Sequence, residues 1–271
     1  MKWEILVTSL AFALVFLPLL AWKWRIRIKI AIIGAVIIGV LTGLIASQIG
    51  NATGLNIALL IIIELPLIVL ITALIMLARF YRDPERSPVV TEDVILSPAD
   101  GTVVYVNKIE KGAALVSTKG ERKFKLDEIT DTDLLPDTAY LVGIDMNILN
   151  VHVNRAPIAG KTLLRKRIAG KFMSLRRQES ETLNERVTTV IGNGTFNVGV
   201  VQIASRLVRK IVSYVKEGDD LQIGQRIGAI VFGSQVDIAI PELENLKIEV
   251  KPGEELKAGI SVLARYGKNT N

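Results

Sequence analysis

The sequence predicts a set of N-terminal transmembrane helices followed by a mainly β domain, sandwich- or barrel-like in form. Three observations carry that prediction. Residues 1–78 are almost continuously apolar, although the chain as a whole is 50% hydrophobic. From Val89 onward short β-rich runs alternate with Gly, Pro, Asn and Asp, as strands and turns do. Finally, KEGDDLQIG (216–224) and KPGEELKAG (251–259) share the pattern Lys-x-Gly-acid-acid-Leu-x-x-Gly, which marks an internal repeat.

Crossing a bilayer takes about 20 apolar residues, and three stretches qualify, at about 5–21, 30–49 and 57–77. The first runs into Trp22, Lys23, Trp24 and Arg25 instead of a small-residue cleavage site, so it reads as an anchor and not a signal peptide. Lys23, Arg25, Arg27 and Lys29 fill the first loop, whereas the second, QIGNATGLN, is uncharged. The positive-inside bias then assigns the first loop and everything after Arg79 to the cytoplasm, giving a multi-pass protein of the cell membrane. Trp3, Trp22 and Trp24 fall where interfacial anchors belong. Glu64 interrupts the third span two residues before Pro66 and is expected to face another helix or to be protonated.

In residues 79–271 the strand-like runs include GTVVYVNKI, TAYLVGIDM, VTTVIGNGTFNVGVVQIA, KIVSYVKEG, RIGAIVFGS, VDIAIP and LKIEVKPG. NGT within the third is a hairpin signal. No amphipathic helices alternate with these strands, which argues against a doubly wound sheet. The repeated acidic turn and glycine corner resemble the hammerhead sandwiches of biotinyl and lipoyl carrier domains. A carrier presents a lysine at its hairpin tip, and Gly233-Ser234 stands there instead, so the likeness is one of fold.

The chain has no cysteine and one histidine, His152, which excludes thiolate chemistry and a histidine-rich metal site. Three segments are dense in polar residues among turn formers: SPADGTVV with Asp100, NVHVNRAP with His152, Asn154 and Arg155, and VFGSQVD with Ser234. Taken singly each has an ordinary reading, as a turn aspartate, a core or edge histidine and a β-bulge. Taken together, Asp, His and Ser are the parts of a base-activated nucleophile.

The segments RFYRDPERSP (79–88), SPADGTVV (97–104), NVHVNRAPIAGK (150–161), NERV (184–187), VVQIASRLVRKIVSYVKEGD (200–219) and GQRIGAIVFGSQVDIAIP (224–241) resemble the short-type, pyruvoyl-dependent phosphatidylserine decarboxylases. The likeness covers nearly all of the β domain, in order. It implies that Ser234 attacks the Gly233 carbonyl in an N-to-O acyl shift. Elimination then splits the chain into 1–233 and 234–271 and leaves a pyruvoyl group on the second piece. That group would serve as the cofactor, forming a Schiff base with the substrate amine, with neither pyridoxal phosphate nor metal.

Gly233 suits such a bond, having no Cβ to block approach. Serine needs a base, the role expected of His152 with Asp100 orienting it. As the only histidine, His152 would serve processing, decarboxylation or both. Arg155 is expected to hold a substrate carboxylate or phosphate, with Asn154, Lys171 and Phe172 as further substrate-binding residues. The substrate class implied is a serine phospholipid, ester- or ether-linked (phosphatidylserine or archaetidylserine), converted to its ethanolamine form with loss of CO2.

Lys161, Arg165, Lys166, Arg167, Lys171, Arg176 and Arg177 form a run without an acid among them, suited to an anionic membrane surface. The run lacks the interleaved aromatics and motif of a nucleic-acid binder. The other partners expected are the two cleaved chains in association and a second copy of the protein in a homodimer. The alternative is a membrane-anchored serine hydrolase using Asp100, His152 and Ser234, although it would lack the Gly-x-Ser-x-Gly elbow.

Overall fold

A computed structural model describes residues 3–24, 26–88, 93–110, 130–136, 138–170, 184–204, 210–231 and 234–267. The chain divides into two compact units, one of residues 1–82 with 147–149 and one of 83–146 with 150–271.

The first unit holds three helices, α1 (Trp3–Lys23), α2 (Ile28–Thr53) and α3 (Ile57–Phe80), each long and apolar enough to span a membrane. They overrun the expected spans because local caps stop them. Gly54 takes a left-handed conformation (φ 70°) and ends α2, and the Asn56 side chain accepts from Leu59 N–H to start α3. Gly39 and Gly43, four apart on α2, let it approach α1 closely. A Cβ on either would come within 2.9 Å of Leu10 Cα or 3.0 Å of Leu6 Cα. Small residues at this spacing are how helix backbones meet in lipid, where burial alone supplies little drive. Glu64 is buried against α1, its Oε1 accepting from Thr8 Oγ1 at 3.0 Å.

The second unit is mainly β. Its strands, among the described residues, are β1 (Val94–Leu96), β2 (Gly101–Glu110), β3 (Thr138–Met146), β4 (Val153–Arg155), β5 (Gly160–Ile168), β6 (Arg186–Gly192) and β7 (Asn197–Ala204). After these come β8 (Lys210–Ser213), β9 (Asp220–Leu221), β10 (Arg226–Val231), β11 (Ser234–Pro241), β12 (Lys247–Ile248), β13 (Glu255–Leu256) and β14 (Val262–Arg265). One sheet has the order β13-β2-β3-β11-β7-β6-β5-β9, and two small ones run β1-β14-β12 and β4-β10-β8. The expected NGT hairpin joins β6 to β7. The main core lies between one face of the large sheet (Val142, Ile144, Val236, Ile238) and the small sheets (Ile95, Leu263, Ile211, Ile230). A second cluster, with Leu141, Val201 and Ala239, covers the opposite face.

The repeat seen in the sequence forms both edges of the large sheet. Leu256 of β13 pairs with Gly101 of β2, and Leu221 of β9 pairs with Gly160 of β5. The contacts around the two corners match one for one. Gly259 N–H donates to Ser97 O at 2.7 Å and Gly224 N–H to Ala156 O at 2.8 Å. Gly253 N–H donates to Val103 O and Gly218 N–H to Thr162 O, both at 2.8 Å. The halves also bond to each other reciprocally, Leu96 N–H to Pro157 O and Arg155 N–H to Pro98 O, both at 2.9 Å. The pseudo-two-fold axis therefore falls between β7 and β11, at the centre of the sheet.

Both corners need glycine because another backbone passes against them. A Cβ at Gly101 would meet Asp145 O at 2.4 Å, and one at Gly160 would meet Gly192 O at 2.4 Å. Backbone atoms cannot swing aside as a side-chain tip can. Gly101→Ala and Gly160→Ala are each expected to cost about 1–3 kcal/mol, read as a lowered thermal unfolding midpoint of the detergent-solubilised protein. An unchanged midpoint in both would remove the close-approach argument.

Candidate functional site

Asp100 sits in the turn between β1 and β2, 6% exposed. Four donors meet its carboxylate. Arg86 grips it with both ends of its fork, Nη1 to Oδ1 at 2.6 Å and Nη2 to Oδ2 at 3.0 Å. Ala258 N–H donates to Oδ1 at 2.8 Å, and Val151 N–H reaches Oδ2 at 3.4 Å. Arg86 Nη1 also donates to Ala258 O at 2.6 Å, closing a ring of contacts. The counterpart of Asp100 in the other half of the repeat is Ala159, so this carboxylate is where the two halves part in chemistry.

His152 follows Val151, which links it to Asp100 through the backbone. The ring is 2% exposed, and its Nδ1 lies 3.0 Å from Asn150 O. A carbonyl can only accept, so this contact assigns the proton to Nδ1 and leaves the lone pair of the neutral ring on Nε2. His152 O accepts from Ile230 N–H of β10 at 3.1 Å. Asp100 and His152 are thus neighbours along one hydrogen-bonded path, with Val151 between the carboxylate and the ring.

Ser234 is the first residue of β11, and its backbone pairs with Met146 of β3 on one side and Ala204 of β7 on the other. Gly233, Lys171 and Phe172 lie outside the described residues. The interruption at Gly-Ser separates two sheets: β10 pairs with β4 and β8, β11 with β3 and β7. Asn184, from NERV, holds the strand end opposite Ser234, its Nδ2 donating to Ala204 O at 3.0 Å.

Asn154 is fully buried and acts as a strut, accepting from Gln202 Nε2 of β7 at 2.8 Å and donating to Pro98 O at 3.4 Å. The Arg155 guanidinium, also buried, meets acceptors of the protein: Gly224 O at 3.0 Å, Pro84 O at 3.1 Å and Asp83 Oδ1 at 3.2 Å. Burial, then the neighbouring Arg226, lower its proton affinity, and Asp83 offsets part of this. Asp83 also pairs with Arg226, which reaches Glu85 at 2.7 Å. Residues 83–86, directly after Arg82, are thereby bound to β4, β10 and the Asp100 turn.

The sequence reading left Arg86, Asn184, Gln202 and Asp237 without roles. The charge density of RDPERSP was the signal for the first. Asp237 is fully buried in β11, with Gln235 Nε2 donating to its Oδ1 at 2.8 Å and to Tyr105 Oη at 3.2 Å. Burial pushes its carboxyl up from 3.8 to about 6, against a smaller downward pull from Gln235 and Tyr105. The basic strand β5 finds acids across the fold, Lys166 pairing with Asp131 at 2.9 Å and Arg167 with Glu185 at 3.3 Å. Among the described residues no three His, Asp or Glu side chains converge as a cation site.

Residues 74–264 match the family described as Phosphatidylserine decarboxylase. A protein of Methanocaldococcus jannaschii named "Putative archaetidylserine decarboxylase proenzyme" is 42% identical over 185 residues, 68% of this chain and 87% of that one. A protein of the same name from Methanothermobacter thermautotrophicus is 38% identical over 201 residues, covering 73% and 84%.

Two outcomes follow from this geometry. Arg86→Ala leaves the Asp100 charge buried without its main partner, an expected loss of about 3–5 kcal/mol, partly restored by Arg86→Lys and measured by thermal unfolding in detergent. Asp237 binds its proton more tightly folded than unfolded, so its contribution is fully present below about pH 4 and is lost as pH rises through about 6. Asp237→Asn should therefore gain stability over the native protein between pH 4 and 7.5, by on the order of 2–3 kcal/mol. A constant difference across that range would contradict it.

Proposed function

Since this chain belongs to the phosphatidylserine decarboxylase family and is a decarboxylase of that type, we propose that it acts on a serine phospholipid, phosphatidylserine or archaetidylserine, after cutting itself between Gly233 and Ser234. The observation that carries this reading is the position of Ser234. It opens a strand bonded on both sides at the centre of the sheet, so a chain end created there has a rigid seat.

In this reading the Ser234 hydroxyl attacks the Gly233 carbonyl carbon as its proton passes to a base. The C–N bond then gives way to an ester, elimination releases residues 1–233 with a new carboxylate, and hydrolysis of the remaining dehydroalanine expels ammonia. A pyruvoyl group at this position supplies an electron sink for decarboxylation. The chain's own residues do the rest. His152 Nε2 takes and returns protons, its tautomer set by Asn150 O. Asp100, clamped by Arg86, holds Val151 and so the approach to His152. Asn184 and Gln202 keep β7 in register beside β11. Lys171 and Phe172 stand as the substrate-side residues of this proposal, while Asn154 and Arg155, expected beside them, brace β4 against Gln202, Gly224 and Asp83. The charge asymmetry of the first two loops supports a catalytic unit on the cytoplasmic face of the cell membrane.

The test is intact mass in detergent, with and without a ketone-reactive hydroxylamine. Native protein should give two chains that part after Gly233, with the 234–271 piece taking up the reagent. Ser234→Ala should remain one chain and release no CO2 from serine phospholipids. His152→Ala should slow self-cleavage, decarboxylation or both by about 10²–10⁴-fold. An intact native chain that is active and labelled at Ser234 by a fluorophosphonate would instead establish a serine hydrolase.

A further inference from the structure

The three helices stack their buried residues in layers about one turn apart. Along α1 these include Ile5, Ser9 and Ala13, along α2 Ala46, Thr42 and Ile38, and along α3 Leu60, Glu64 and Ile68. Ile5, Ala46 and Leu60 form one apolar layer, and Ala13, Ile38 and Ile68 belong to another. Ser9, Thr42 and Glu64 fall between the two, one from each helix, and make a polar layer with hydrocarbon on either side. All three are fully buried. Three of their oxygens have no hydrogen-bond partner among the described residues: Ser9 Oγ, Thr42 Oγ1 and Glu64 Oε2. Hydroxyls inside helices commonly bond the carbonyl four residues back. Thr72 does so, to Ile68 O at 2.7 Å, and Thr53 does so, to Ile49 O at 2.6 Å. Ser9 instead points at the Glu64 carboxyl without a formed bond. The contact from Thr8 Oγ1 to Glu64 Oε1 draws on a hydrogen that Glu4 O at 2.9 Å and Ile5 O at 3.1 Å also face.

Glu64 is also the only acidic or basic residue in the apolar stretches at 5–21, 30–49 and 57–77. An ionised carboxylate at membrane depth is costly unless an opposite charge is brought to it, and these stretches offer no Lys or Arg to do so. What the layer does offer is oxygen, from one carboxylate and two hydroxyls, and hard oxygen ligands suit a hard cation. One negative charge is balanced by one positive charge, whereas a divalent ion would leave an excess in apolar surroundings. We propose that Glu64, Ser9 and Thr42 form a binding site for a small monovalent cation, of the class of sodium, which ties α3 to α1 and α2.

The experiment titrates full-length protein in detergent with radioactive sodium, in choline chloride at constant ionic strength. Native protein should bind about one ion per chain, saturably, and its thermal unfolding midpoint should rise by about 5–10 °C at a hundredfold excess over the dissociation constant. Glu64→Gln keeps the size of the side chain and its contact with Thr8 while removing the charge, and it should lose both responses. Ser9→Ala and Thr42→Val leave the carboxylate in place and should each weaken sodium binding about tenfold, so the site is tested even where Glu64→Gln fails to fold. Native protein that binds no sodium, or whose midpoint follows pH but not sodium, holds only a proton at Glu64, and the proposal falls. Sodium binding that is unchanged in the variants lies elsewhere in the chain and overturns it equally.

Discussion

A carboxylate removed from water must be met by donors at close range, and at Asp100 that demand draws distant parts of the chain to one point. Arg86 comes from the segment after α3, Val151 from the approach to β4, and Ala258 from the corner after β13. Each oxygen receives a guanidinium N–H and a backbone N–H. Removing any donor leaves charge uncompensated in a poorly solvated place, which is far more costly than losing a surface ion pair. His152, the Asp83–Arg155–Arg226 cluster and the corner at Gly259 all hang on the same segments.

The duplicated architecture explains why this demand arises at one of the two equivalent turns and not at the other. Each half supplies a Pro-containing turn, a glycine pressed against a neighbouring backbone and an acidic corner. Those shared parts are structural, because they recur where no chemistry is expected. Asp100 replaces what is Ala159 in the other half, and Arg86 binds that carboxylate with both ends of its fork. A symmetric scaffold thus acquires an asymmetric centre through one carboxylate and the arginine that neutralises it.

What was legible in the sequence follows the range of the interaction concerned. The three helices and the β6–β7 hairpin announce themselves through length, periodicity and turn chemistry, all local. The repeat was readable because its glycines answer to local geometry. That β10 and β11 belong to different sheets was not readable, since each also pairs with a strand 70 or more residues away in sequence, β10 with β4 and β11 with β3. For the same reason the acids facing Lys166 and Arg167 were invisible in a run that reads as purely basic. Gln202 and Asp237 look like unremarkable polar residues of strands until the register buries them. Arg155 carries the same lesson: its guanidinium suits a substrate carboxylate or phosphate, and the fold surrounds it with Asp83, Pro84 and Gly224.

The central place of β11 bears on the order in which this protein can be made. Its eight residues pair with β3, six of them also with β7, and the strands after it close onto β1 and β2. While the chain is continuous, closing that sheet is unimolecular and costs only loop entropy, which grows slowly with length. If the chain is cut before β11, as proposed, the same sheet could re-form from its pieces only by an encounter between two molecules. On that proposal folding must precede cutting, and a cut copy that unfolds loses its route back. Such a cleavage would act as a ratchet: it would leave the native contacts in place but make the native state depend on never having been lost, so durability would pass from equilibrium stability to the height of the unfolding barrier.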